Sequence, residues 1–318
     1  MTLAARPAVA NRRSVAVSMP RAEAVKNAEG CLAFVWRVLS NQYGIMLDHL
    51  DPMQAESPPD QALHDFRVAL RRFRAALRLF RPMLKTIGGR RLEAVLSDVS
   101  DELGPPRDAE AWVEFLRRDD AAPHGAADPD LEAYVERCCE HRDRLRATLP
   151  TICAGPDFRA ALGGMQTLLN TDLPRAALTT DDQPARTFVW RRVLKSIRKI
   201  RDFTSDIDTL ESEGLHDLRK VTRRGRYTAE FALPLCGSPA KTATKDLKTL
   251  TNALGIIHDI DVELARTPAH ASTRPAAVTA YMARERTKQL ERARTCFKLV
   301  TGGRYLQKMK NASKNPGG

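Results

Sequence analysis

One short stretch of this sequence occurs twice, and that repetition constrains the fold more than any other feature. Residues 64–74 read HDFRVALRRFR and residues 216–226 read HDLRKVTRRGR, an offset of 216 − 64 = 152. The histidine, the aspartate and four arginines match. A second pair follows each copy: Leu103-Gly104 leads to Arg107-Asp108, and Leu254-Gly255 leads to His258-Asp259, at an offset of 151. A nearly constant offset means that the order and spacing of elements are kept. Two homologous halves are expected, and such halves commonly pack about a pseudo-twofold axis with equivalent faces meeting in one cleft.

The halves read as helical. From about residue 24 onward the apolar residues recur at helical spacing, and strand-like alternation is scarce. Helix stops are expected at Asp51-Pro52, Ser57-Pro58-Pro59, Arg81-Pro82, Gly88-Gly89 and Gly104-Pro105-Pro106, and again at Ala121-Ala122-Pro123, Leu149-Pro150, Leu233-Pro234, Gly237-Ser238-Pro239 and Thr267-Pro268. Residues 1–23 form a basic tail, with four arginines and no acid in 1–22. The tail reads as disordered, with a transit peptide as the alternative. Half one then covers about 24–170, a linker about 171–186, half two about 187–310, and a disordered tail 311–318.

Placed on a helix at about 100° per residue, Arg67, Arg71, Arg74 and Arg78 fall within about 80° of His64. Phe66, Leu70, Phe73, Leu77 and Phe80 fall on the opposite side. Leu63 and a cap signal at Asp60 fit a start just before this helix. In the second copy His216, Arg219, Arg223 and Arg226 occupy the same phases, while Glu230 replaces the arginine at the fifth position. Gly225 stands where the first copy has Phe73, at a helix-propensity cost of about 1 kcal/mol relative to Ala.

An ordinary solvated face mixes signs so that charges four apart attract. The first stripe carries no carboxylate, so its arginines repel one another unless an anion lies on them. Arginine also suits bidentate grips on phosphate oxygens. Arg72 and Lys220 flank the two stripes. Further bases gather as Arg191, Lys195 and Arg198 on one face, as Arg284, Lys288 and Arg292 at a spacing of four, and as Arg137, His141 and Arg144 in the first half.

Composition fits a polyanion binder. The 318 residues carry 51 Lys+Arg against 39 Asp+Glu, a net charge of +12, and 43% are hydrophobic, enough for a sizeable core. The surplus is local: residues 64–81 hold six arginines and one acid, and residues 284–310 hold nine bases and two acids. No apolar run approaches the length of about 18 residues that a membrane span needs. Six cysteines without a CxxC spacing read as reduced cytosolic thiols.

With its His-led arginine helix in two copies, each followed by a Leu-Gly…Asp motif, the chain resembles the CHAD family, the conserved-histidine α-helical domain. The resemblance covers roughly 24–310. It implies an all-α fold of two four-helix bundles about a pseudo-twofold axis, with a basic central channel. It also implies binding of inorganic polyphosphate and association with polyphosphate granules in the cytoplasm. The family's binding residues carry over to His64, Arg67, Arg71, Arg74 and Arg78, and to His216, Arg219, Arg223 and Arg226.

Three other function classes compete: a nucleic-acid binder, an acidic-protein scaffold and, less favoured, an enzyme such as a metal-dependent phosphohydrolase accessory. A nucleic-acid binder needs exposed aromatics for base stacking, and the aromatics of the first box lie on its core face. An acidic-protein scaffold fits a basic helical bundle equally well on charge alone. For an enzyme, the chain lacks a Walker A, a GxGxxG and an HExxH, as well as the ExExK motif of the triphosphatase tunnel domains that accompany some CHAD domains. Asp108 and Asp259 are read as helix N-caps rather than metal ligands. No cofactor and no metal are expected.

Overall fold

In a computed structural model the described residues are 30–55, 58–59, 61–117, 129–177, 183–265 and 274–312. The chain is all-α, with no strand among these residues. The helices are α1 (Cys31–Gln54), α2 (Ala62–Leu79), α3 (Arg81–Leu84), α4 (Gly89–Glu102), α5 (Gly104–Leu116), α6 (Pro129–Arg146), α7 (Leu149–Ala154) and α8 (Pro156–Thr167). A π-turn follows (Leu168–Asp172), then α9 (Leu173–Ala177), α10 (Ala185–Arg201), α11 (Ser212–Ala265), α12 (Ala276–Thr301) and α13 (Gly303–Asn311).

α1 packs along α2, and α4 packs on α2 and α8. α10 packs along α11, and α11 along α12. One large core joins these helices. Phe80, fully buried at the end of α2, sits edge-on to Phe34 of α1 and stacks on Phe188 of α10, each at 5.9 Å. Truncating such a side chain costs about 3–5 kcal/mol. Phe66 stacks on Phe158 of α8 at 5.6 Å. The apolar face expected for α2 is therefore the buried one, and it turns the arginine face away from the core.

A second, smaller core joins Trp112 and Phe115 of α5 and Tyr134 of α6 to Ile260 of α11 and Tyr281 and Met282 of α12. Arg274 clamps this end by donating to the backbone carbonyl of Glu263 at 2.8 Å and to its carboxylate at 3.2 Å. Among the described residues no helix is long and apolar enough to cross a membrane. All six cysteines are free thiols.

Three boundary expectations are corrected. Asp51-Pro52 does not stop α1, which runs to Gln54. Proline there removes a single helical bond in the last turn, while Met53, fully buried, holds the turn to the core. Leu233-Pro234 does not stop α11 either. The chain continues through the buried Leu235 and Cys236 and breaks at Gly237, whose φ of 55° suits only glycine. Pro239 then falls in the first turn of the C-terminal arm, where its missing N–H costs nothing. Of the stretch read as a linker, residues 173–177 are helical and Ala185 opens α10. Residues 178–182, Ser57, Asp60, Ala121-Ala122-Pro123, Thr267-Pro268, the tail 1–23 and residues 313–318 lie outside the described residues.

Candidate polyanion site

The site grows from the contact between α2 and the N-terminal arm of α11. On α2, His64, Arg67, Arg71, Arg74 and Arg78 are all half-buried. Two of them, two helical turns apart on α2, are positioned by serines about one turn apart on α4. Arg67 donates through Nη1 to the Ser100 carbonyl at 2.7 Å, and Arg74 donates through Nη2 to Ser97 Oγ at 2.7 Å. Arg78 and Arg81 share Glu93, at 2.5 and 2.8 Å. Burial alone would raise the Glu93 carboxyl, but the hydrogen bonds from Arg78 and Arg81 hold it below the usual range.

On α11, Arg219 lies over Gly255. A Cβ at Gly255 would stand 3.8 Å from the Arg219 Nε, an ordinary van der Waals contact. Asp259, one turn further, is 4.0 Å from Arg219. Lys220 pairs with Asp217 at 2.9 Å. Glu230 accepts from Arg72 of α2 and forms an ion pair with Arg226 of its own helix, each at 3.1 Å. The fifth-position departure thus neutralises arginines of both halves.

Inward of these pairs, cations face cations. Burial lowers the Arg67 pKa to about 10, with Arg71 adding to the effect. Burial likewise lowers Arg219 and Arg223; Arg71 presses on both, and Arg219 presses on Arg223 as well. An arginine stays charged at neutral pH, so the cluster holds buried like charges against one another. Among the described residues, Arg67 Nε, Arg219 Nε and His64 Nδ1 are buried donors or acceptors without a partner.

This field holds the histidine pKa values below the ordinary one. His64 is lowered by burial and then by Arg107, and His216 by burial and then by Lys220 and Arg219. His258 of the second Leu-Gly motif brings its Nδ1 to 2.8 Å from that of His216. Burial, Arg219 and His216 push its pKa down to about 3.

Asp108 and Asp259 are not N-caps, which corrects the sequence reading. Asp108 lies inside α5, whose start is occupied by Pro105 and Pro106, and Asp259 lies within the C-terminal arm of α11. Their carboxylates instead offset the field at Arg67 and Arg219. Among the described residues no group of three or more His, Cys, Asp or Glu is placed to hold a metal.

Other sequence candidates sit elsewhere. Arg137 and Arg284 are exposed, over the rings of Tyr134 and Tyr281 in the second core. Lys288 pairs with Glu285 at 3.3 Å. His141 is half-buried on α6, and Arg191, Lys195 and Arg198 are exposed on α10. Sequence reasoning missed Arg107, whose charge acts on His64 and Arg67, and His258 as a partner of His216. It also missed a repeat: Phe34-Val35-Trp36-Arg37 of α1 returns as Phe188-Val189-Trp190-Arg191 of α10.

Comparison with known proteins places the geometry in context. The CHAD domain family matches residues 37–268. The crystal structure of the CHAD domain from the plant Ricinus communis is similar with a TM-score of 0.62 at 22% identity, covering 90% of this chain and 92% of that one. PptA from Streptomyces chartreusis is similar with a TM-score of 0.54 at 19% identity, covering 90% of this chain and all of that one. At such identities the likeness speaks to the fold. No curated protein matches the chain.

Proposed function

Since the chain belongs to the CHAD domain family, we propose that it binds inorganic polyphosphate, without turning it over, along the facing arginines of α2 and α11. The observation that carries this reading is the inward cluster of Arg67, Arg71, Arg219 and Arg223, with His64 and His216 at its edge. Polyphosphate needs a line of cations and no sequence reader. Arginines three and four apart on a helix supply a rung about every 5 Å. Phe66, Phe73 and Phe80 are buried, which leaves the first box with no platform for base stacking.

The two halves meet about a pseudo-twofold axis in this reading. Arg72 meets Glu230, while Arg78 acts on Arg224. Positions 72 and 224, like 78 and 230, are equivalent at 224 − 72 = 230 − 78 = 152. Exchanging the halves therefore exchanges the two contacts. A channel between the halves would carry the chain past the central arginines. Arg137, His141, Arg191, Lys195, Arg198, Arg284 and Lys288 would extend the path outward. The same binding would tether the protein to polyphosphate granules.

Calorimetric titration with long-chain polyphosphate tests this. Saturable binding that DNA and RNA fail to displace is expected. Efficient displacement by nucleic acid, absence of saturable heat, or phosphate release in the presence of Mg²⁺ would overturn it.

A further inference from the structure

On each side of the contact between α2 and α11, one carboxylate is held between two arginines. On one side Glu230 takes Arg72 of α2 and Arg226 of α11, each at 3.1 Å. On the other, Glu93 of α4 takes Arg78 at 2.5 Å and Arg81 at 2.8 Å, and all three act on Arg224 of α11. The sequence relates the two sides. Position 72 answers to 224 and 78 to 230, at an offset of 152, and Glu93 answers to Thr244, at 244 − 93 = 151. The two acids are not equivalent to each other. Glu230 stands where the other side has Arg78, and Glu93 stands where this side has Thr244. Two unrelated positions thus supply the same grouping.

Both groupings are reachable from solvent. A cavity of about 670 Å³ is lined by Glu230 and Arg72 together with the exposed Arg37 and Lys248. Across the contact, Arg81 and Arg224 are exposed. Carboxylate and phosphate oxygens compete for the same guanidinium N–H groups. The centre is different. Burial, Arg219 and Arg71 dominate the field at Arg223, and Asp259 stands off from Arg219 at 4.0 Å. A phosphate at the centre therefore meets like charges facing one another, whereas on either side it must displace a carboxylate. Arg71 and Arg78 are seven residues apart, about 10 Å along the helix. A short chain can lie on the centre alone, while a long chain runs on to the held arginines.

We infer that Glu230 and Glu93 set how many phosphates the site engages, by standing in for phosphate at its two flanks. The inference rests on the polyphosphate reading and adds to it a residue-level control of chain length. Calorimetric titration of the full chain with inorganic tripolyphosphate and with long-chain polyphosphate tests it. In Glu230→Gln and in Glu93→Gln, long-chain affinity should rise about three- to fivefold, with tripolyphosphate within about twofold of the parent. Lys248→Glu, a change at an exposed position, puts a further carboxylate in the cavity. It should weaken the long chain by a similar factor and spare tripolyphosphate, and it serves if the glutamine variants melt early by circular dichroism. Tripolyphosphate affinity that rises with the long chain would sink the inference, because the acids would then act only as general charge. So would long-chain affinity that is unchanged or lower in the glutamine variants, or a Lys248→Glu variant that binds both chains as the parent does. If the parent gives no saturable heat with long-chain polyphosphate, the polyphosphate reading itself fails; saturable binding with an unaltered ratio of long-chain to tripolyphosphate affinity fails this inference alone.

Discussion

Arg72 of α2 donates to Glu230 of α11 at 3.1 Å, across 158 residues of chain. The same carboxylate takes Arg226 at 3.1 Å, so one acid holds an arginine from each half. The Glu230 side chain is 15% exposed, and a partly buried pair broken from one side leaves uncompensated charge. Glu230→Gln should therefore lower stability by about 1–3 kcal/mol, seen as a reduced melting temperature. It should also release two cations to an anion. Polyphosphate affinity should rise, and the dependence of log K on log salt should steepen by up to about one unit per added phosphate contact. Titrations at two salt concentrations separate the two effects; an unchanged slope would show that Arg72 and Arg226 do not reach the ligand.

The central pair offers the opposite experiment. Arg71 presses electrostatically on both Arg219 and Arg223, so removing one relieves strain on the others. Arg71→Ala with Arg223→Ala should leave helicity intact, since alanine is the better helix former. Thermal stability should hold or rise slightly, while polyphosphate affinity falls and the salt slope flattens by about two units. Far-UV circular dichroism and calorimetry read both sides. A stable variant that binds as before would remove the cluster from the site.

Periodicity made the helix and its faces legible. Phe66, Phe73 and Phe80 are buried and the arginines of α2 are not, because one helical period determines both. What the sequence could not yield are distances between halves. Glu230 reads as a local departure, and only the fold brings Arg72 to it. The proline stops at Pro52 and Pro234 failed because neighbouring buried side chains outweigh one lost hydrogen bond. Asp108 and Asp259 read as caps because the proline start of α5 and the unbroken arm of α11 are tertiary outcomes. His258 was overlooked because its partner is 42 residues away.

The histidine pair predicts a pH dependence with a definite sign. His258 is lowered to about 3 in the folded chain, mainly by burial, against an ordinary value of about 6.5. Between those values the unfolded chain binds more protons, so stability rises with pH through this window and is lost as pH falls. Above about 6.5 this group contributes no slope. His258→Gln should flatten the melting temperature against pH below about 6.5. A bound polyanion raises the histidine pKa values, so binding should take up protons and tighten as pH falls toward 6.5. Calorimetry in buffers of different ionisation enthalpy counts those protons; no uptake would show that the histidines stand outside the ligand's field.

Gly225 tests how half two is packed. The first copy has Phe73 at the equivalent position, and glycine there forfeits helix propensity of about 1 kcal/mol. A Cβ at Gly225 would meet Ile200 Cδ1 at 3.3 Å and Ser196 Cβ at 3.4 Å, both on α10. The glycine thus lets α10 approach α11 more closely than a side chain would allow. Gly225→Ala sets the propensity gain against overpacking of about 1–3 kcal/mol, and contacts this tight favour a net loss. Gly225→Phe should abolish cooperative unfolding, because no space for a ring exists between the helices. Chemical denaturation measures both. An alanine variant more stable than the parent would mean that α10 yields by the few tenths of an ångström required, and that helix propensity decides this position.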